Sequence, residues 1–239
     1  MSHPSKDRIV AFDGLSRRFA ELCDSTYVNG HLACALPESL CCGLATNLYR
    51  PPRLAIGTLP SWHWGRYDEP IVFSDYQDST LHPLIHTFDG FGPLSSACGK
   101  AADLICIGRP RLVINRFGSS GLYSSWELAS LAIPLGSTHQ SPMLVRADPK
   151  FKHIINLRFD YPSSYTKPSV IMLPICVSWE MAGSDSTTPM VFRYGGLVLK
   201  QHSDDGFARL GNFDLIDNND EPTLRFLLAQ TRPRLLVIS

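Results

Sequence analysis

From residue 53 onward, glycine and proline recur as regular punctuation, and this feature restricts the fold more than any other. Proline cannot sit inside a helix ladder and glycine weakens one. The apolar stretches left between them are short, rich in β-branched and aromatic residues, and bounded by turn formers, which is the pattern of strands. Candidate strands are Pro70–Ser74, Ala102–Ile107, Arg111–Arg116, His153–Phe159, Ser169–Trp179, Met190–Arg193 with Gly196–Gln201, and Phe207–Leu215. The stretch from Val198 to Leu210 reads as two strands around a turn at Ser203–Gly206. A short helix fits Glu221–Gln230, and Arg234–Ile238 makes a last strand. Gly118–Gly136 reads as loop, with a turn of helix at Trp126–Ala132. No long alternation of strands and helices occurs, so a doubly wound parallel sheet is disfavoured.

The first fifty residues read differently. Ile9, Phe12, Leu15 or Ser16, Phe19 and Leu22 recur at near-helical spacing and form one apolar stripe. Ser5 suits the cap, Asp7 suits the first turn, and Gly14 weakens the helix locally. A second helix is expected from Pro37, carrying Leu40, Leu44 and Leu48 and ending at Pro51-Pro52. The expected fold is therefore α+β. A helical segment over 1–52 packs as one unit with a mainly antiparallel β barrel or sandwich over 53–239.

Charge narrows the partners. Lys plus Arg and Asp plus Glu number 22 each, so no net field attracts nucleic acid or cations. With 44% hydrophobic residues the chain is not of the disordered class. The longest apolar run, Val170–Val177, is far below the roughly 20 residues of a membrane helix and contains Pro174. No signal-peptide pattern opens the chain. A cytoplasmic protein is expected, bound to neither membrane nor nucleic acid. The seven cysteines include no Cys-x-x-Cys pair and read as reduced, mostly buried thiols.

Chemistry-bearing patterns are weak. His82 and His86 are four apart, but Pro83 stands where a zinc protease needs its Glu. Gly118-Ser-Ser-Gly121 is one residue short of a nucleophile elbow. Asp214, Asp217 and Asp220 lack the alternate spacing and glycine of a calcium loop, and read as a polar connection before a helix. Arg109, Arg111, Arg116, Arg232 and Arg234 read as solvated strand faces. Leu59-Pro-Ser-Trp-His-Trp-Gly65 puts two indoles two apart on an extended segment, so both point one way and anchor the sheet to the helical part. No catalytic, metal or cofactor residues emerge.

Taken in order, several segments resemble the C-terminal portion of fungal heterokaryon-incompatibility proteins. Pro4–Phe12 with Gly14–Ala20 is similar to the helix following that family's effector domain. Tyr27-Val-Asn-Gly30 is similar to its "Y-x-A-G". Leu59–Trp64 matches its "APSWSWAS", with Asp68–Ile71 at its "DGPI". Gly196–Leu199 and Phe207–Phe213 resemble its "GLLL…YRRIGLF" hairpin, and Leu235–Ile238 its closing strand. His31-Leu32 stands where the family has Trp. The "SYVWG"-type effector motif does not occur here, so a chain beginning just before the post-effector helix is expected to be a stand-alone accessory module or a truncated product. The resemblance implies a non-enzymatic accessory or regulatory region, acting in self/non-self recognition through a protein partner or by restraining an effector domain. It marks Trp62, Trp64, Gly196, Leu197, Arg209, Gly211 and Phe213 as family-motif residues with structural roles. The alternative is a small-ligand-binding β domain or a cryptic hydrolase, recognisable by a Ser or Cys beside a His that a carboxylate orients.

Overall fold

The computed structural model describes residues 4–28, 30–36, 38–44, 59–66, 71–72, 82–87, 104–108, 110–115, 126–128, 156–160, 169–181, 190–204, 206–218 and 233–239. One helix, α1 (Pro4–Leu22), opens the chain. Proline at its first position fits, because that N–H has no partner in a helix anyway. A hairpin follows, β1 (Tyr27–Val28) with β2 (His31–Leu32). Its two-residue connection is Asn29-Gly30, and Gly30 has φ +95°, a conformation that hairpin turns require and glycine adopts without strain. The Asn-Gly pair between Val28 and His31 is a short-range hairpin signal.

The expected second helix is replaced by a single 3-10 turn, Glu38–Cys41, running into β3 (Gly43–Leu44), which pairs with β4 (Ile71–Val72). The carbonyls of Leu40, Cys41 and Cys42 accept side-chain hydrogen bonds from Arg209 and Asn212. Those oxygens are thereby taken out of a helix ladder, and Gly43 discourages propagation. Residues 45–52 lie outside the described set.

The rest is mainly β. The remaining strands are β5 (His82–Pro83), β6 (His86–Thr87), β7 (Leu104–Gly108), β8 (Arg111–Asn115), β9 (Trp126–Leu128), β10 (Asn156–Phe159), β11 (Ser169–Met181), β12 (Met190–Gln201), β13 (Gly206–Asn218) and β14 (Arg234–Ile238). They form one sheet in the order β6-β7-β14-β13-β12-β11-β8-β9, with β10 also on β13 and β5 also on β11. Trp126–Leu128 is a strand, not the expected helical turn, because it pairs with Val113–Asn115. The expected helix at Glu221–Gln230 and the loop serines Ser119 and Ser120 lie outside the described residues.

Most pairs are antiparallel, as expected, and two features refine the expected barrel or sandwich. First, the sheet is mixed: β13 and β14 run parallel, at Gly206↔Val237 and Phe207↔Ile238. A parallel pair needs a crossover of about a dozen residues or more, and residues 219–233 supply that length. Second, no closed barrel forms among the described residues. The segment 82–87 pairs with β11 at one end and β7 at the other, yet no ladder joins β5 to β6. The sheet still curls, since Gly108 of β7 packs directly on Leu173 of β11.

Both faces of the sheet are buried. Leu104, Cys106, Ile171, Leu173, Ile175, Leu197, Leu199, Phe207, Leu236 and Ile238 form one apolar cluster with Leu40, Cys41 and Trp62. Phe159, Val170, Met172, Tyr194, Val198, Leu210, Phe213 and Leu215 form the other. Alternation along a strand assigns each residue to a face, and one extra residue reverses that assignment.

Two such reversals occur. In β11, Pro174 pairs with Gly196 and Cys176 with Gly195, so Ile175 is the extra residue. Pro174 is tolerated because it falls in the gap between the β8 partners of residues 169–172 and the β5 partners of 176–177. The Ile175 carbonyl then accepts from the Leu84 N–H at 2.7 Å. In β13, Val198 opposes Gly211 and Leu199 opposes Arg209, so Leu210 is the extra residue. Its carbonyl accepts from the Asp160 N–H at 2.8 Å.

Candidate functional site

The two bulges aim side chains at one place. Without the bulge at Leu210, Arg209 and Asn212 would face opposite sides of the sheet. With it, both face residues 40–42. Without the bulge at Ile175, Cys176 would face with Met172. With it, Cys176 lies in the same cluster as Leu173 and Cys41.

Arg209 is the centre of this arrangement. It is 3% exposed and its partner Asp160 is 7% exposed. Arg209 Nε donates to Asp160 Oδ2 at 3.1 Å, Nη1 to the Leu40 carbonyl at 3.0 Å, and Nη2 to the Cys42 carbonyl. Nη1 also lies 3.7 Å from Cys42 Sγ. Asn212 Nδ2 donates to the Cys41 carbonyl at 3.2 Å. A buried charge is tolerable only when paired and hydrogen-bonded, and the guanidinium fork meets both conditions here. Three consecutive carbonyls of the N-terminal region are thus held by one strand of the sheet.

The tryptophan loop docks beside it. Ser61 Oγ accepts from the Arg209 N–H at 2.9 Å, and the Ser61 N–H donates to the Ser239 carbonyl at 3.0 Å. The segment is not extended: it turns at residues 61–62 and forms a 3-10 turn at Trp64–Arg66. The two indoles therefore serve different neighbours. Trp62 is fully buried in the sheet cluster, with its ring centroid 5.6 Å from that of His31. Trp64 meets the Phe12 ring of α1 edge-on at 4.4 Å. Tyr27 Oη donates to Asp13 Oδ1 at 2.6 Å, tying α1 to β1. Burial, then the Asp13 carboxylate, pushes the Tyr27 phenol up.

Two histidines are sealed in the same region. His31 Nδ1 is 2.9 Å from Ser39 Oγ, and Nε2 is 3.4 Å from the Trp62 carbonyl oxygen. A carbonyl only accepts, so Nε2 carries the proton and Nδ1 accepts from the serine hydroxyl. Desolvation lowers the His31 pKa to about 3. His63 Nδ1 accepts from the Gly65 N–H at 2.8 Å, and burial lowers its pKa to about 4. The Ser39–His31 contact has the outline of a hydrolytic pair, but a carbonyl occupies the place of the orienting carboxylate. A ring this hard to protonate is a weak base. Its geometry is that of a strut between two loops.

The motif residues divide between the two faces: Trp62, Leu197 and Arg209 lie on the side of residues 40–42, and Phe213 lies on the other. Leu197 and Phe213 are fully buried, one on each face of the sheet. A Cβ on Gly196 would strike the Leu173 carbonyl oxygen and the Phe213 ring, and one on Gly211 the Arg158 carbonyl oxygen. Those close approaches require glycine. Other candidates disperse. His82 and His86 sit on separate short strands. Asp214 and Asp217 belong to β13 and not to a connection before a helix, because their strand continues to Asn218; Asp214 lies 3.6 Å from Arg158. Arg111 and Arg234 are on β8 and β14. Gly118 and Gly121, Arg109, Arg116, Arg232 and Asp220 lie outside the described residues. Among the described residues no cluster of three His, Cys, Asp or Glu is arranged to hold a metal, and no helix is long and apolar enough to cross a membrane.

Sequence reasoning singled out Arg209 only as a motif letter and missed Asp160 and Asn212. A charged residue on a strand whose neighbours are all apolar is the signal that marks a buried pair.

α1 presents the opposite situation. Among its described side chains Ser16 and Ala20 are buried, while Leu22 is 71%, Leu15 55%, Phe19 52% and Phe12 42% exposed. The apolar stripe from Phe12 to Leu22 thus faces largely outward, with Phe12 also touching Trp64. No family model, curated protein or solved structure matches this chain.

Proposed function

We propose that this chain is a non-enzymatic interaction region of the heterokaryon-incompatibility type, acting in the cytoplasm by binding or restraining a separate effector domain. The carrying observation is the exposed stripe Phe12, Leu15, Phe19 and Leu22 on a helix held by the Tyr27–Asp13 hydrogen bond and the Phe12–Trp64 contact. Such a contiguous apolar surface marks a contact site. Charge favours a protein over a lipid surface. Residues 4–22 carry Lys6, Arg8, Arg17 and Arg18 against Asp7, Asp13 and Glu21, a net +1. That is not the strongly basic face of a membrane-surface helix. The occupant is a protein domain with an apolar groove. The order of the landmarks from Pro4 to Ile238 supports the family assignment. The architecture we favour is an open, curled barrel whose gap is spanned by segment 82–87.

The test is capture from fungal extract by the full chain and by a Leu15→Ser/Phe19→Ser variant, followed by rebinding of purified proteins. The expected partner carries the "SYVWG"-type effector domain and binds the double variant at least tenfold more weakly. Equal binding by both chains, or a captured partner without that domain, overturns the reading.

A further inference from the structure

We propose that Cys41 and Cys176 are the two halves of a redox latch that covalently fixes the N-terminal region to the sheet. Their sulfurs are 3.7 Å apart although the residues are 135 positions apart in sequence. Each is placed there by a separate device: Cys176 by the bulge at Ile175, Cys41 by the carbonyl bonds to Arg209 and Asn212. The Cys176 S–H points toward the Gly195 carbonyl at 3.9 Å, so its sulfur is left to accept from Cys41. A disulfide needs about 2.05 Å between sulfurs, so the change required is a small movement of the two side chains.

The oxidant is a peroxide. One thiol, as thiolate, attacks a peroxide oxygen, the O–O bond breaks, and the products are a sulfenic acid and water. The second sulfur then attacks the sulfenic sulfur, forming the S–S bond and releasing a second water. The two thiols lose two electrons and two protons in total, and hydrogen peroxide becomes two waters.

Access sets the direction of control. Cys41 is 1% exposed and Cys176 is fully buried. The facing Cys176 sulfur, then burial, also pushes the Cys41 thiol up. Oxidation therefore waits on lifting of residues 40–42, and once the bridge has formed, reductant faces the same barrier. Once formed, the bridge keeps residues 40–42 from lifting again.

The experiment treats the full chain, with exposed Cys23 and Cys34 replaced by serine, with hydrogen peroxide. Readouts are non-reducing peptide mapping and thermal melting. The expected result is a linked Cys41–Cys176 peptide from folded protein and a Tm raised by about 5–15 °C, reversed by reduction in denaturant. A Cys176→Ala variant should show neither change. If that variant fails to fold, the peptide map of the parent decides alone. Linkage found only after denaturation, or a linked chain whose Tm is unchanged or lower, overturns the latch.

Discussion

α1 and β13 have opposite relations to polarity. β13 buries a full charge, Arg209, while α1 exposes five large apolar side chains, Val10, Phe12, Leu15, Phe19 and Leu22, and buries Ser16. Composition alone predicts the reverse of both. On β13 the exception is stabilised locally, because the Arg209 guanidinium donates to Asp160 and to the Leu40 and Cys42 carbonyls. On α1 the stripe has no comparable cover among the described residues, the Phe12–Trp64 ring contact apart. The proposed reading takes the exception on β13 as made for folding and that on α1 as made for binding, and mutants can break that separation.

The largest expected loss is at the clamp. Arg209→Ala takes the guanidinium away from buried Asp160 and frees the Leu40 and Cys42 carbonyls, a change of about 3–5 kcal/mol. Asp160→Asn should cost nearly as much, and urea denaturation of both variants measures it. Trp62→Ala, which removes a fully buried indole, is expected to cost a similar 3–5 kcal/mol. Trp62→Phe should cost clearly less, because the Trp62 indole N–H has no acceptor among the described residues. Equal losses in the two Trp62 variants would show that the indole nitrogen matters after all.

Acid provides a graded test. The folded pKa values of His31 and His63 are depressed to about 3 and about 4, below the ordinary 6.5. The neutral rings therefore contribute their full stability above pH 6.5, where the unfolded chain is also neutral. That stability is lost as pH falls from about 6.5 toward 4 and then 3, at up to about 1.4 kcal/mol per pH unit per ring. A melt series from pH 7 to pH 4 should slope accordingly, and replacing His63 should remove part of the slope. The smallest effect belongs to α1: Phe19→Ser or Leu22→Ser should change stability by no more than about 0.5 kcal/mol.

The strands were legible because punctuation and β-branched runs are local signals. β7, β8, β11, β13 and β14 coincide with expected segments, and β12 joins two of them. The parallel β13–β14 pair was not legible, since it depends on a crossover and not on either strand's own pattern. Nor was the 3-10 turn at Glu38–Cys41, because Arg209 and Asn212, far along the chain, decide the fate of its carbonyls. The apolar stripe of α1 was read correctly as a stripe, but periodicity cannot say whether the surface it faces belongs to the same chain. The clamp was hidden for a related reason: Arg209 and Asn212 share a face only because of an extra residue, and a bulge has no reliable signature in sequence.

On the proposed reading β13 holds the fold, while the exposed face of α1 contributes little to it. Thermal melting of Arg209→Ala beside Phe19→Ser tests it most directly. The account predicts a Tm lower by about 6–20 °C for the first and within about 2 °C of the parent for the second. An Arg209→Ala melt matching the parent, or a Phe19→Ser melt falling as far as the clamp variant, would contradict it.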